Sequence, residues 1–336
     1  MDFMREMPAL SRPFRVLVTG ATGFVGSRLT DVLLQQGHTI RALVRDQAQL
    51  EAGPRLEVFE GDLTDPHSLA GIENDIDIVI HCAGQLGKWG VSEQRIFEIN
   101  LHGCINLVER ISEQPSIRLI HLSAGGVTGA VPSGIADETF DCKPGSPYEK
   151  SKYLAELEVL QRSRDNGISA VVVRPTFTYG PEDLHKLPLF RAIKRGRYAL
   201  IGGGSSVNHP VYIDDLIAGI LEAVERGRDG EVYILGGERP VSKKELAQTI
   251  AAALAVNPPR WSIPPFLAHM AASVLEPAAR IFGFEPIVTH SRVSIASDNF
   301  GYSIDKAKKE LGYRPAVNLQ QGVAATVANY QEKGLL

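Results

Sequence analysis

The sequence is poor in cysteine and has little excess of charge of either sign. Its three cysteines, Cys82, Cys104 and Cys142, are scattered along 336 residues. An odd, unclustered set predicts no disulfide framework and no metal site, and it favours a reducing compartment, so we expect a cytoplasmic protein. The net charge of −4 gives no electrostatic reason to expect nucleic acid as a partner.

Long hydrophobic runs are also missing. The most apolar stretch, residues 264–284, is interrupted by His269, Glu276, Pro277 and Arg280, so it is too broken for a transmembrane helix. We favour a pair of core or substrate-lid helices, and the alternative is a peripheral membrane-touching surface that serves a lipid-like substrate. The N-terminus has no apolar core of a secretory signal, and residues 1–12 are predicted to be a flexible leader.

What the sequence does have is a regular alternation of apolar, β-branched runs with amphipathic segments. Strands are predicted at 15–19, 39–44, 56–60, 77–81, 118–122 and 170–173, and helices at 24–36, 93–112 and 147–166. This alternation predicts an α/β fold, a Rossmann-type doubly wound parallel sheet, over residues 13–180. Residues 181–336 are expected to form a smaller, mainly helical substrate module, which returns to the sheet at about 207–240.

Glycines occupy the first turn between strand and helix, in RVLVTGATGFVG. Gly20 permits a tight turn, Gly23 lets the backbone approach a pyrophosphate, and Gly26 lets the helix pack close to the sheet. The spacing G-x-x-G-x-x-G departs from G-x-G-x-x-G, and alone it also fits a glycine-rich turn of any α/β protein. The motif predicts a dinucleotide site that includes Thr22, Phe24 and Val25.

The end of the second strand bears on the choice of cofactor. Arg45 follows residues 39–44, and an arginine at this place accommodates the 2′-phosphate of NADP, which we therefore favour. Asp46 leaves NAD open, because a carboxylate turned inward there bonds the ribose 2′-OH. Arg41, further upstream, is expected to be a solvated surface charge.

Tyr148 and Lys152, in PYEKSK, are four residues apart on a predicted helix and therefore share one face. A free phenol has a pKa of about 10, and we expect the Lys152 ammonium to lower the pKa of Tyr148. Tyr148 then gives a proton to a carbonyl oxygen as a hydride arrives, or takes one from an alcohol in the reverse direction. An isolated pair at this spacing more often covers a helix surface. After a dinucleotide fold, it predicts a dehydrogenase or reductase.

The chain resembles the extended short-chain dehydrogenases/reductases, which are NAD-dependent epimerase/dehydratase-like proteins, from about Arg15 to nearly the C-terminus. The resemblance rests on TGATGFVG, GDLTD, VIHCAG, EINLHGCINLVE, PYEKSK, VVVRPTFTYGP, PVYIDDLIAGI and KAKKELGYRP. It implies that Tyr148 is the catalytic acid/base and that Lys152 is its partner and bonds the nicotinamide ribose. It also implies a homodimer through the helices that contain Asn100 and Tyr148.

The same resemblance assigns further residues to the cofactor. It places Asp62 and Leu63 beside the adenine and implies that Asn100 contacts the cofactor. Two further groups of residues are also assigned to the cofactor. Cys82, Ala83 and Gly84 line it, and Pro175 and Thr176 lie beside the carboxamide.

One position departs from the family pattern. The loop after the fifth strand usually carries a Ser or Thr that bonds the substrate oxygen, whereas HLSAGGVTG places Ala124 there. Three alternatives stay open: Ser123 serves instead, Thr128 reaches in, or the site lacks this hydroxyl. We name Ser123 as a candidate catalytic residue. A lost hydrogen bond to the reacting oxygen costs a few kcal/mol of transition-state stabilisation.

Substrate class divides the family into net oxidoreductases and nucleotide-sugar enzymes. The latter often carry an Arg where this chain has Asn208, and a neutral amide is a poorer anion partner. The C-terminal part looks more like the 3-beta-hydroxysteroid dehydrogenase and dihydroflavonol reductase branch. We therefore predict an NAD(P)-dependent oxidoreductase that interconverts a ketone and a secondary alcohol on a hydrophobic, sterol- or flavonoid-like small molecule.

Two alternatives remain at this level. Arg191, Arg195 and Arg197 keep a nucleotide-sugar epimerase/dehydratase open, although a solvated helix face explains them equally well. A catalytically weak NADP-binding sensor is supported by Ala124, and the intact Tyr148 and Lys152 argue against it.

Overall fold

A parallel sheet of seven strands forms the centre of the computed structural model, which describes residues 7–114 and 116–336. In chain order the strands are β1 (Arg15–Thr19), β2 (Thr39–Val44), β3 (Leu56–Glu60), β4 (Ile78–His81), β5 (Arg118–Leu122), β6 (Ser169–Pro175) and β7 (Val232–Leu235). In space their order is β7-β6-β5-β4-β1-β2-β3. This is the doubly wound α/β fold predicted from the sequence.

Helices cover both faces of the sheet and continue into the C-terminal part. They are α1 (Phe24–Gln35), α2 (Glu93–Phe97), α3 (Gly103–Ser112), α4 (Pro147–Asn166), α5 (Leu187–Lys194), α6 (Ile213–Arg226), α7 (Lys243–Ala253), α8 (Pro265–Phe282), α9 (His290–Ser297) and α10 (Leu319–Glu332). The helix predicted over 93–112 is divided, because a π-helical turn at Glu98–His102 joins α2 to α3.

The strands are apolar on both faces because both faces are covered. In β1, Val16 and Val18 face α1 and α6, while Leu17 faces the layer that contains α3 and α4. The ladder register pairs Val18 with Ala42 of β2 and with Ile80 of β4. This register brings the carboxyl ends of the strands to one edge, and ligands of such sheets bind there.

A second hydrophobic core lies in the C-terminal part. It combines α5, α7 and α10 through residues such as Phe190, Ile250 and Tyr330. Short strand pairs connect this part: Phe177–Tyr179 with Pro210–Tyr212, Val207–Asn208 with Val241–Ser242, and Leu200–Ile201 with Ser262–Ile263.

The chain returns from this part to the sheet. Helix α6 packs against the sheet and β7 pairs with β6, with Val232 opposite Val172. A further return was missed by the sequence analysis. Tyr302, Ile304 and Tyr313 are buried in the core of the sheet, although the chain has already formed α7 to α9.

The predicted leader differs from its expectation where the structure describes it. Residues 1–6 lie outside the described residues. In the rest of the segment, Leu10 is buried in the sheet core, the Ser11 N–H donates to Glu225, and Arg12 pairs with Asp77 at 3.0 Å. Residues 7–12 are therefore attached to the body of the protein.

Helix α8 is not the core helix that was favoured. Its buried residues are Ala268, Ala272 and Ala279, whereas Phe266 and Met270 are 64% and 62% exposed. This finding leaves the lid and membrane-surface alternatives. In the part of the chain that is described, no helix is both long and apolar enough to cross a bilayer.

Candidate active site

The glycine turn after β1 is built for close approach of the backbone. Gly20 has φ +71°, and a Cβ atom added there would lie 2.8 Å from Ala83 N. A Cβ atom at Gly26 would lie 2.1 Å from Gly20 O, so α1 reaches the turn only because Gly26 has no side chain. No side chain caps α1, and its first turn holds no acidic residue. Its first N–H groups therefore suit an anion such as a pyrophosphate.

Arg41 and Arg45, the two arginines in and after β2, have different environments. Arg45 is exposed, and its charge acts on Asp62. Burial alone would raise the pKa of Asp62, but hydrogen bonds from Thr64 and the charges of Arg95 and Arg45 lower it. The structure therefore brings Arg45 and Asp62, two of the predicted cofactor residues, to one corner.

Asp46 and Arg41 are used locally. The Asp46 carboxylate accepts a hydrogen bond from Ala48 N at 2.9 Å. It therefore caps the short 3₁₀ helix that follows it, Gln47–Gln49. Arg41 is buried rather than solvated, and that expectation is wrong. Its guanidinium donates to Glu57 and to the carbonyl oxygens of Ile72 and Asn74, because the chain folds back over β2.

The segment after β4 lies between the glycine turn and α4. Thr19 Oγ1 accepts from Ala83 N at 3.3 Å. A Cβ atom at Gly84 would lie 3.4 Å from Asn100 Oδ1 and 3.9 Å from Lys152 Nζ. The structure thus brings together Cys82–Gly84, Asn100 and Lys152, as the resemblance implies, and their roles toward a cofactor stay predictions.

Asn100 holds the segment after β4 in place through hydrogen bonds. It is buried in the π-helical turn, where its Oδ1 accepts from Gln85 N at 2.6 Å. Its Nδ2 donates to Gln85 O and to Ser151 Oγ, at 3.1 and 2.9 Å. Both Nδ2 hydrogens are used, so within this geometry Asn100 positions the loop and α4.

Leu63 is also held in place by its neighbours. Its side chain is buried, and its carbonyl oxygen accepts from Asn106 Nδ2 at 2.8 Å. A Cβ atom at Gly103 would lie 2.9 Å from Leu63 Cβ, so α3 packs closely on this residue.

Tyr148 lies in the first turn of α4, which begins with a capping box between Ser146 and Glu149. Burial, with a contribution from Glu149, raises the pKa of Tyr148 to about 12. The expectation that Lys152 lowers the pKa of Tyr148 is therefore wrong for this structure. The reason is that burial outweighs any stabilisation of the phenolate.

Lys152 lies one helical turn further along and is 3% exposed. Burial lowers its pKa, while Cys104, Cys82 and Glu156 act in the opposite direction. Glu156 is itself paired with Arg174, whose Nε donates to it at 3.0 Å. This buried pair ties α4 to β6 and fixes the height of Lys152 above the sheet.

The loop after β5 removes one of the three hydroxyl alternatives. Thr128 donates to the carbonyl oxygens of Gly125 and Gly129, so it does not reach into the site. Ser123 Oγ is buried without a hydrogen-bond partner in the described residues. Side chains alternate along extended backbone, which puts Ser123 on the same side as His121, toward α3. Ser123 stays the candidate, and Ala124 supplies no hydroxyl.

Thr176 resembles Ser123 in having a buried hydroxyl. Its N–H donates to Leu235 O, and its Oγ1 is buried without a partner among the described residues. Pro175 lies beside the β5 loop, since a Cβ atom at Gly125 would lie 3.2 Å from Pro175 O. Buried hydroxyls without partners at the carboxyl edge suit a polar ligand. Together with the uncapped α1 and its glycine turn, they fit a dinucleotide with its nicotinamide end near Tyr148.

A layer of neutral polar residues lies beneath Lys152, and the sequence analysis did not find it. Ligand-type atoms of His81, Cys104 and His121 lie within 4.8 Å of one another and are buried. Burial, with the charge of Lys152, lowers the pKa of His81 to about 3 and that of His121 well below its ordinary value. Burial raises the pKa of Cys104 to about 12. The charge of Lys152 opposes a cation at this place.

Comparison with known proteins places the chain in a family. The model of the "NAD dependent epimerase/dehydratase family" matches residues 16–236. The sterol-4-alpha-carboxylate 3-dehydrogenase, decarboxylating, of Mus musculus is 27% identical over 337 residues, which cover 96% of this chain and 92% of that protein. The 2-alkyl-3-oxoalkanoate reductase of Shewanella oneidensis is 28% identical over 344 residues, which cover 95% of this chain and 88% of that protein.

Solved structures agree with this placement. The dTDP-glucose 4,6-dehydratase DesIV of Streptomyces venezuelae, solved with NAD and TYD bound, is 27% identical and has a TM-score of 0.77. The match covers 95% of this chain and 97% of that chain. The family match spans the glycine turn, the segment after β4 and the helix that carries Tyr148 and Lys152. The chain belongs to the NAD-dependent epimerase/dehydratase family, and it is an NAD(P)-dependent oxidoreductase of the extended short-chain dehydrogenase/reductase type.

Proposed function

We propose that the protein reduces a ketone to a secondary alcohol, and oxidises the alcohol in reverse, on a hydrophobic small molecule. The observation that carries the proposal is the position of Tyr148, one helical turn before the buried Lys152 on α4 and against the loop at Gly87. Burial raises the pKa of Tyr148 to about 12. A phenol with this pKa is protonated near neutral pH. It is therefore ready to donate a proton to a carbonyl oxygen that gains negative charge.

The residues divide the work as follows. The bound nicotinamide supplies or accepts the hydride. Tyr148 Oη moves the proton, and the Lys152 ammonium stabilises negative charge on the phenol oxygen during transfer. Ser123 donates a hydrogen bond to the reacting oxygen, because Ala124, at the usual position of this hydroxyl, has none to offer. Asn100 holds the loop at Gln85 and the Ser151 side chain of α4 in position.

NADP is the proposed cofactor. Arg45 is exposed at the end of β2, where it can meet a 2′-phosphate, and Asp46 is turned to Ala48 instead of toward a ribose. Both observations support the phosphorylated cofactor over NAD.

The names of the relatives support the substrate class. The mouse protein is named for a sterol carboxylate and the Shewanella protein for an oxoalkanoate. Each of these two compounds is an apolar molecule that carries a carboxylate near position 3. A nucleotide-sugar activity is the second candidate, favoured by the likeness to DesIV. Against it, Asn208 is buried and its Oδ1 accepts from His209 N, so it offers no charge to a diphosphate.

A homodimer through the helices that contain Asn100 and Tyr148, which are the joined α2–α3 and α4, is part of the proposal. Helix α4 carries two exposed leucines, Leu154 and Leu157, which are 40% and 41% exposed although its other exposed residues are charged or polar. Sedimentation velocity of the full chain measures the state directly, and a monomer at micromolar concentration contradicts a dimer.

The experiment that tests the proposed function begins with a fluorescence titration of the protein with NADPH and with NADH. We expect tighter binding of NADPH, and a loss of that preference in Arg45→Ala, since a charge-assisted contact to a phosphate is worth about 1.5–3 kcal/mol. Arg55→Ala is the matched control, because Arg55 lies outside this corner at the start of β3. Turnover of hydrophobic ketones with NADPH then tests the reaction. NADH preferred in the wild type contradicts the cofactor, and turnover of nucleotide sugars alone contradicts the substrate class.

A further inference from the structure

A lysine that the reaction does not use lies beside the candidate active site. Lys186 Nζ lies 4.5 Å from the centre of the Phe177 ring. Phe177 directly follows Thr176, and its N–H donates to His209 O at 3.0 Å. This hydrogen bond fixes the segment that continues from the carboxyl end of β6. Lys186 is thereby placed next to the edge where the nicotinamide end of the cofactor is proposed.

A second lysine, Lys88, belongs to a loop that touches the catalytic tyrosine. A Cβ atom at Gly87 would lie 3.5 Å from Tyr148 Cβ, so the loop before Lys88 touches the catalytic tyrosine. Burial lowers the pKa of His185, and the charge of Lys88 lowers it further. Lys88 therefore lies near His185, which directly precedes Lys186, although the two segments are almost a hundred residues apart in the sequence. The loop of Gly87 and Lys88 therefore connects the side chain of Tyr148 with the segment that contains Lys186.

Neither lysine has an acceptor of its own among the residues that the structure describes. Within the described residues, Lys88 and Lys186 form no ion pair and no hydrogen bond through their side chains. Lys186 is half-buried, and burial lowers its pKa although Asp183 acts in the opposite direction. One oxygen of Asp183 accepts from the backbone N–H groups of His185 and Lys186, at 2.9 and 3.3 Å. A half-buried ammonium without an acceptor is costly, and an anionic oxygen of a ligand relieves that cost.

We propose that Lys186, with Lys88 at the mouth of the site, binds a carboxylate of the substrate, so that the protein acts on hydrophobic hydroxy or oxo carboxylic acids. The inference rests on the proposed ketone/alcohol function and names its substrate class. Because the loop at Gly87 touches Tyr148, the carboxylate lies only a few bonds from the reacting carbon.

The reaction balances without further reagents. A hydride passes from the reduced nicotinamide to the oxo carbon, and the Tyr148 proton passes to its oxygen. The products are a hydroxy acid and the oxidised cofactor, and Tyr148 regains its proton from solvent. The carboxylate takes no part in bond changes and serves only to orient the acid.

The test uses the stable alcohols in the oxidative direction. The wild type, Lys186→Met and Lys186→Arg are assayed with 3-hydroxydecanoate and with its methyl ester, which has the same chain and no charge. Lys186→Met is expected to lose about 10- to 100-fold in kcat/KM for the acid, mainly through KM, because one charged hydrogen bond is removed. The ester is expected to lose much less, and Lys186→Arg is expected to restore most of the loss.

Lys194→Met is the matched control, because Lys194 is exposed at the end of α5 and makes no ion pair in the described residues. It should leave both substrates unchanged. Equal losses for acid and ester in Lys186→Met, with no rescue by Arg, would mean that Lys186 only supports the fold, and the inference would be wrong.

A binding measurement separates this inference from the proposed function. Calorimetric titration of the protein–NADPH complex with octanoate and with octanamide needs no turnover. The carboxylate is expected to bind at least about tenfold more tightly than the amide, and Lys186→Met is expected to remove that difference. Equal binding of the two probes overturns the carboxylate subsite. Absence of turnover with both alcohols, while octanoate still binds selectively, overturns the proposed oxidation and leaves the subsite supported.

Discussion

Helices α4 and α8 are of similar length and are arranged in opposite ways. Helix α4 has eight charged residues, and it buries Lys152 and Glu156 against the sheet. Helix α8 has two charged residues, and it buries only alanines, while Val274 and Ile281 are 70% and 77% exposed. The polar helix buries charged residues against the sheet, whereas the apolar helix leaves its large apolar side chains exposed.

This contrast teaches that burial in this protein follows chemistry as well as hydropathy. Charge is buried in α4 where it can be paired, as in the Glu156–Arg174 pair, or one helical turn from Tyr148, as for Lys152. Large apolar side chains are exposed on α8 in a contiguous group, which is typical of a surface that meets another apolar surface. Substitutions of the buried residues of α4 should therefore have the largest effects. Substitutions on the exposed side of α8 should have the smallest, including on stability.

The largest effect is expected for Tyr148→Phe. Removing the hydroxyl removes the proton donor, and kcat should fall by about 10²- to 10⁴-fold while NADPH binding is kept. Steady-state kinetics and the fluorescence titration measure the two quantities. Tyr153→Phe, on the same helix, is the control and should retain activity. Wild-type turnover in Tyr148→Phe would show that α4 buries its charges for stability alone.

The next effect is on the pH dependence. Because the pKa of Tyr148 is raised to about 12, the phenol stays protonated through neutrality. Reduction needs the protonated form and should not change between pH 6 and 9, whereas oxidation needs the phenolate and should rise about tenfold per pH unit over that range. Initial rates in both directions, at saturating cofactor, measure this. A plateau of the oxidation rate below about pH 8 would mean that Lys152 lowers the pKa of Tyr148 in the complex.

The smallest effect is expected on α8. Phe266→Ser should change the free energy of unfolding by less than about 0.5 kcal/mol, because the side chain already faces water. Ala272→Leu is the matched change on the buried side, where overpacking costs about 1–3 kcal/mol. Urea unfolding measures both. A large loss in Phe266→Ser would indicate that this side of α8 is covered in solution.

The sequence predicts the fold well because its signals are local. Apolar, β-branched runs and the capping residues of α4 specify strands and helices within a few residues of their observed ends. The chemistry of the site depends on distant neighbours. Arg41 is buried by a loop 30 residues later in the chain, and the layer of His81, Cys104 and His121 forms only when three elements meet. Such long-range contacts leave no periodic pattern.

The pKa of Tyr148 shows the same limit. Spacing predicts that Tyr148 and Lys152 share a face of α4, but it does not measure how deeply each is buried, and burial has the larger effect. The exposed side of α8 is a related case. An apolar segment predicts burial, and only the placement of the helix shows that small residues occupy the buried side.

The π-helical turn at Glu98–His102 gives the helix pair α2–α3 one residue more than an α-helix of the same span would need. Deleting one residue there would convert the turn to regular α-helix, keep the flanking helices close to their present positions and move Asn100 relative to its partners. Asn100 then loses either Gln85 or Ser151, since the two partners lie on different segments. The protein should therefore accept many substitutions in this turn and no change in its length.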